Sequence, residues 1–200
     1  MALPDEKLQA DFPLHVYQTG SGTQTNMNVN EVVSHQAAKL NPDLPILPND
    51  DVNHSQSSND TFPTAMNITA AIAVNHLLAA VDGLIAALQT KAKQYDHTVK
   101  IGRTHLQDAT PLTFGQEVSG WIAMLAHDRT AIEQLKPGLF RLAIGGTAVG
   151  TGLNAAPNFG RIVAGRLSDV YHLPLTAQTN KFAALAAHSE ISNVHGGIKT

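Results

Sequence analysis

One segment, about 59–95, limits what this chain can fold into, because it is a nearly unbroken run of helix formers. Met66, Ile68, Ile72, Leu77, Leu78, Val81, Leu84, Ile85 and Leu88 recur along it as an apolar stripe, which predicts one long helix. Gly83 is a possible break in it. A second such segment covers 113–136, with Val118, Ile122, Leu125, Ile132 and Leu135 inward and Trp121 and Met124 extending that face. Pro137-Gly138 should kink or end it. Further helices are expected at about 26–40, 158–171 and 178–198. Few stretches alternate with period two. Long helices with short polar joints place the chain in the all-α class, as a long-helix bundle.

Composition excludes several kinds of function. There is no cysteine among the 200 residues, so neither a disulfide framework nor a thiolate metal site is possible. The formal net charge is −3 with no block of like charges, which argues against a nucleic-acid partner. No apolar run is read as approaching the roughly 20 residues that span a bilayer, so no membrane partner is expected. Met1-Ala-Leu-Pro-Asp-Glu-Lys7 does not read as a signal peptide. Without one, the Asn-x-Ser/Thr triplets at Asn53, Asn59 and Asn67 are read as chance, and a soluble cytoplasmic protein is expected. The ten histidines are irregularly spaced, with no His-Glu-x-x-His, and no metal site is expected from them.

Between the two long segments lies Lys100-Ile-Gly-Arg-Thr-His-Leu-Gln-Asp-Ala-Thr110. It packs a cation, hydroxyls, an imidazole, an amide and a carboxylate into one short run. We read it as a loop held by two helices, the usual seat of binding and catalysis, with His105 facing a small anionic substrate. Asp108 either orients that loop or caps the next helix, and capping is preferred.

Three other polar runs stand out. Gln18-Thr-Gly-Ser-Gly-Thr-Gln-Thr25 either lets backbone approach a ligand or is an ordinary loop and helix cap. Asn26, Asn28 and Asn30 are unusual inside a helix; they are either internal hydrogen-bonders in a polar pocket or a frayed first turn. Ser55-Gln-Ser-Ser-Asn-Asp60 followed by Thr61-Phe-Pro63 is a strong helix start. One cap does not need Ser57, Ser58 and Asn59 together, and a helix N-terminus rich in hydroxyls suits a carboxylate ligand. The glycine-rich run 143–154 lacks the Gly-Lys-Ser/Thr ending of a phosphate loop.

Taken together and in order, these runs resemble class II fumarase (fumarate hydratase), of the fumarase/aspartase superfamily. The matching stretches are Gln18-Thr-Gly-Ser-Gly-Thr-Gln-Thr-Asn-Met-Asn-Val-Asn-Glu31, Pro48-Asn-Asp-Asp-Val-Asn53, Ser57-Ser-Asn-Asp60, Gly102-Arg-Thr-His-Leu-Gln-Asp108 and Gly145-Gly-Thr-Ala-Val-Gly-Thr-Gly-Leu-Asn154. The resemblance covers nearly the whole chain. It implies reversible hydration of fumarate to L-malate, with no metal or organic cofactor. It implies that Ser21, Gly22 and Thr23 form a first substrate-binding loop and Ser57, Ser58 and Asn59 a second. Thr104 would be a further substrate contact, and His105 the proton donor or relay. Asn49 and Asp50 would belong to a secondary dicarboxylate site, where Leu47 replaces the family's histidine. The related aspartases carry glutamine where His105 stands, which sets fumarate hydration ahead of the alternative, an aspartate ammonia-lyase.

The resemblance also implies a homotetramer whose active sites combine several subunits. It divides the chain into 1–58, the end of an N-terminal domain, and 59–200, part of the central helical domain. The family's Gly-Ser-Ser-x-Met-Pro-x-Lys-x-Asn-Pro loop, which supplies the proton-abstracting serine, does not occur in these 200 residues. They are therefore expected to be an internal piece of the subunit, inactive by itself. A third reading, a non-catalytic helical oligomerisation module, would follow from exposed apolar faces on incomplete bundle helices.

Overall fold

The computed structural model of the chain describes residues 10–15 and 22–199. Long helices dominate it, as expected. In chain order the elements are α1 (Thr23–Leu40), a π-helical turn (Pro48–Val52), α2 (Ser58–Gln94), β1 (Val99–Thr104), β2 (Gln107–Thr113), α3 (Phe114–Leu135), a 3-10 turn (Lys136–Phe140), β3 (Arg141–Leu142), α4 (Phe159–Tyr171), β4 (Thr176–Ala177), α5 (Lys181–Ala186) and α6 (Ser189–Ile198). They fall into two compact units. One comprises Met1–Ile68 with Phe140–His188, and the other Thr69–Leu139 with Ser189–Thr200.

In the first unit, Ile68, Leu142, Ala143, Ile144, Ala164, Leu173 and Leu175 are buried. Strands β3 and β4 form a short parallel pair, Arg141 opposite Thr176 and Leu142 opposite Ala177. Gly160 on α4 packs so close to the main chain that a Cβ there would lie 2.5 Å from the Ile144 carbonyl oxygen. Helix α1 is tied down by amides rather than by its apolar stripe. Asn26 and Asn30 both donate to Asn53 Oδ1 at 3.0 Å, and Asn28 donates to the Asp11 carbonyl at 2.9 Å. Of the two readings of these asparagines, the polar-pocket one is what forms. Val29, Val33 and Leu40 are exposed on α1.

In the second unit, Ala71, Val74, Leu78, Val118, Ile132, Leu139 and Val194 are buried. Helix α2 runs unbroken through Gly83, whose neighbourhood is open space. Arg129 grips Asp82 through two bonds of 2.6 and 3.0 Å, and this guanidinium holds the carboxyl below its ordinary range. Trp121 and Met124 do not extend the buried face of α3; both are exposed.

Three further expectations need correcting. The run 100–110 is not a loop: β1 and β2 form an antiparallel hairpin, with a register irregularity between Ile101 and Arg103. His105 and Leu106, both at positive φ (48° and 61°), make its two-residue turn, the backbone that closes tight hairpins. The segment 178–198 is two helices, because α5 ends at Ala187 in extended backbone and α6 begins at Ser189. Finally, α2 is long and apolar enough, by length and composition, to cross a membrane, and only 17% of its most apolar stretch is buried. Isolated polar residues such as Asn75, His76 and Asp82 interrupt that run without lowering its average much.

The hairpin stands on a tight base. Lys100 Nζ lies 2.6 Å from Glu117 Oε1 and 5.2 Å from the Phe114 ring centre. The Phe114 and Gly115 N–H groups donate to the Thr98 and Tyr95 carbonyls. A Cβ on Gly115 would lie 2.7 Å from Asp96 Cα. Gly115→Ala is therefore expected to lower stability by about 1–3 kcal/mol and to shift the hairpin's amide resonances. Gly83→Ala should raise stability by about 1 kcal/mol. Urea unfolding of the two variants checks both signs.

Candidate functional site

The run 57–60 opens α2, and a single carboxylate fixes it. Asp60 is fully buried. Its Oδ1 accepts from the Ser57 N–H at 2.9 Å, and its Oδ2 from the Gly145 and Thr147 N–H groups at 3.0 and 2.8 Å. The first bond closes the helix start on itself. The other two fasten the glycine-rich loop 143–154 to it. Ser57 does cap: its Oγ accepts from the Asn59 N–H at 3.2 Å, and its carbonyl accepts from the Thr61 N–H at 2.9 Å. The capping and ligand readings of this run need different atoms, so both can hold. Ser58 and Asn59 are left to face a cavity.

A second clasp repeats the link between these segments. Asn59 Nδ2 donates to the Ala148 carbonyl at 2.7 Å, and Ser55 Oγ to the Asn154 carbonyl at 3.2 Å. Lys181, at the start of α5, donates to the Ile144 carbonyl at 2.7 Å and to the Leu142 carbonyl at 3.4 Å. Burial lowers its pKa, against the attraction of Asp60. Gly145, Gly150 and Gly152 take positive φ in this loop, where side chains are strained.

Two open cavities flank the turn at 147–149. One, of about 500 Å³, is lined by Ser58, Asn59, Phe62, Val149, Phe182 and His188 among others. The second, of about 480 Å³, is lined by residues that include Asn49, Asp50, His54, Ser55, Thr147 and Asn154. Ala148 borders both. The first combines apolar walls with a hydroxyl, an amide and an imidazole; the second is mostly hydroxyls and amides.

The expected site residues are distributed as follows. Ser57, Ser58 and Asn59 stand together at the start of α2, and Asn49 and Asp50 in the neighbouring π-helical turn, all within the first unit. Leu47 is exposed there, its N–H donating to Asp51 Oδ2 at 2.7 Å. Gly22, at φ 76°, is buried against the Phe62 ring, which a Cβ would strike, and Thr23 follows as the first residue of α1. Ser21 lies outside the described residues. Thr104 and His105 are exposed on the hairpin of the second unit. Asp108 caps no helix: α3 is capped by Thr113 and Gln116 in a reciprocal box, while Asp108 lies 3.6 Å from Arg103 across the hairpin. Among the described residues no group of three or more His, Cys, Asp or Glu could hold a metal ion.

In the sequence Asp60 looks like a cap residue, and Lys181 and Thr147 do not stand out. For Asp60 the available signal was a carboxylate directly after three small polar residues. For Thr147 it was a β-branched residue between glycines. Lys181 gave no signal.

A profile of the lyase family matches residues 2–200. The chain belongs to that lyase family. It is 53% identical to a class II fumarate hydratase of Thermus aquaticus over 97% of its own length and 43% of the relative's. It is 54% identical to one of Bacillus subtilis, over 96% and 43%. Its fold matches the crystal structure of class II fumarase from Schistosoma mansoni with a TM-score of 0.87 and 42% identity, covering 94% of this chain and 44% of that one. The chain thus spans less than half the length of the relatives it matches.

The pH response of Lys181 tests the loop geometry. Its folded-state pKa lies below the ordinary 10.5, so between the two values the unfolded chain binds more protons and stability rises with pH. Measured against Lys181→Met by urea unfolding, the wild-type chain should gain relative stability as pH climbs towards about 10.5. A difference that stays flat would contradict the burial of this ammonium.

Proposed function

We propose that these residues are part of a fumarate hydratase, a hydro-lyase that interconverts fumarate and L-malate in the tricarboxylic acid cycle. The carrying observation is the Ser57-Ser58-Asn59 run, locked by Asp60 to the loop 145–147 and opening on a cavity. The identities with class II fumarate hydratases support the choice of reaction.

In this reading Ser21, Gly22, Thr23, Ser57, Ser58, Asn59 and Thr104 bind the four-carbon diacid. His105 donates or relays a proton, and Asn49 and Asp50 belong to a secondary dicarboxylate site. Malate dehydration removes a weakly acidic proton beside a carboxylate, and charge spreads onto the carboxylate oxygens. Neutral donors fixed in advance stabilise that charge without reorganising, and losing one typically costs about 10²–10³ in rate. The departing hydroxyl must also be protonated, a role worth about 10²–10⁴ that imidazole serves in both directions. A glutamine in place of His105 could not do so, which sets the ammonia-lyase alternative lower. No metal or organic cofactor enters this chemistry.

The activity belongs to the whole subunit, in which residues 1–58 end an N-terminal domain and residues 59–200 form part of a central helical domain. We place the assembled protein in the cytoplasm as a homotetramer. The uncovered apolar surface of α2, together with exposed Leu84, Trp121 and Met124, supports burial against further helices. That same surface favours the second reading, a helical oligomerisation module, which is compatible with the first.

Titration of the isotope-labelled chain with L-malate is expected to shift the amides of residues 57–59, while an ultraviolet assay finds no fumarate consumption by these 200 residues alone. In a complete subunit, His105→Asn should depress kcat far more than it raises KM. Amides at 57–59 that ignore malate, or an unchanged kcat, would defeat the reading.

A further inference from the structure

Helix α5 carries one more polar residue to the cavity at the start of α2. It is only six residues long, too short to hold its shape alone, and the first unit anchors it. The Asn180 side chain accepts from the Ala183 N–H at 3.0 Å, and Lys181 reaches the Ile144 carbonyl. Phe182 lies so close to the glycine-rich loop that a Cβ on Gly150 would stand 2.8 Å from its ring. Phe182, Leu185 and Ala186 line the cavity that Ser58 and Asn59 also line. The helix stops at Ala187 in extended backbone, at φ −138° and ψ 146°. The next residue, His188, is exposed and lines the same cavity. Among the described residues that do so it is the one ionisable group. Its ring makes no hydrogen bond or ion pair with them. The Ser58 hydroxyl is also unpaired among them, and it is accessible, since the sealed unpaired oxygen belongs to Thr147.

We propose that His188 is a further ligand-binding residue, its ring N–H donating to a carboxylate oxygen of the four-carbon diacid that Ser58 and Asn59 hold. The inference rests on the dicarboxylate reading of residues 57–59 and adds a residue from the far end of α5 to it. The charge balance of the cavity favours an anion. No carboxylate lines it, and Asp60, next in the chain to Asn59, has both oxygens committed to backbone N–H groups. The diacid's carbon chain needs no hydrogen bonds and suits walls made by Phe62 and Phe182, while its carboxylates need donors. An imidazole keeps at least one N–H whether neutral or charged, so the contact survives in either state of the ring.

Two substitutions separate this role from a structural one. His188→Phe keeps a flat ring and removes both nitrogens; His188→Gln keeps an N–H donor. Binding of L-malate to the chain is followed by nuclear magnetic resonance, and stability by urea unfolding. Malate should shift the His188 ring resonances together with the amides of residues 57–59. His188→Phe should weaken binding about three- to tenfold, the worth of one hydrogen bond in a cavity open to water. His188→Gln should stay within about twofold of the wild type, a smaller loss than one hydrogen bond. Both variants should unfold at the wild-type midpoint, because the ring has no partner to lose. If malate shifts residues 57–59 and His188→Phe still binds it like the wild type, the role of His188 is overturned and the parent reading stands. Equal weakening in the two variants would likewise overturn it, since the donor would then be irrelevant, and so would a lowered midpoint in both, since the ring would then be structural. Malate that shifts neither residues 57–59 nor the His188 ring overturns both.

Discussion

The carboxylate of Asp60 is the interaction on which the first unit depends. It is fully buried, so each of its lone pairs must be met inside the protein or the group would carry a desolvation cost of several kcal/mol. Three backbone N–H groups meet it, one from its own helix start and two from a loop 85 and 87 positions away. Backbone donors cannot be replaced by rotating a side chain. The bonds therefore fix main-chain geometry at both ends, which is what a site made of short side chains and backbone requires. Serine, threonine and asparagine reach only as far as their backbone carries them.

The loop's composition follows from this constraint. A chain that must turn within bonding distance of Asp60, close under Lys181 and open on a cavity at each side needs positive φ at several positions. Glycine meets most of them. A Cβ on Gly145 would lie 2.7 Å from Gly160 Cα, so these two glycines also let loop and α4 touch. Thr147 and Asn154 are the non-glycine residues that take a left-handed backbone there, at φ 55° and 63°.

The second unit solves a different problem. Its candidate residues Thr104 and His105 sit on an exposed hairpin whose base is braced by the Lys100–Glu117 pair, the Phe114 ring and the capping box of α3. Precision at the turn comes from that base and from the two positive-φ residues that close it. Leu106, in the same turn, is 95% exposed.

Helices were legible in the sequence because their apolar stripe repeats over many turns. The two long ones begin and end within a residue or so of expectation. The hairpin was not, because its strands are mostly polar and half-exposed and carry no alternation for the eye; only the two-residue turn betrays it, and His105-Leu106 is not a usual turn pair. The asparagines of α1 could be read either way, since Asn53, the acceptor that Asn26 and Asn30 share, lies far along the chain. Residues 57–59 could be singled out as more than a cap needs, but not the reason they hold together. That reason is a contact with a distant loop, and local pattern does not contain it. The clamp itself is open to direct observation through hydrogen exchange of the Ser57, Gly145 and Thr147 amides in the native wild type and in Asp60→Ala, which removes both acceptor oxygens. If one buried carboxylate unites the two segments, all three amides lose protection together in the variant while those of α3 keep theirs. Loss at Ser57 with Gly145 and Thr147 unchanged, or the reverse, would contradict the account.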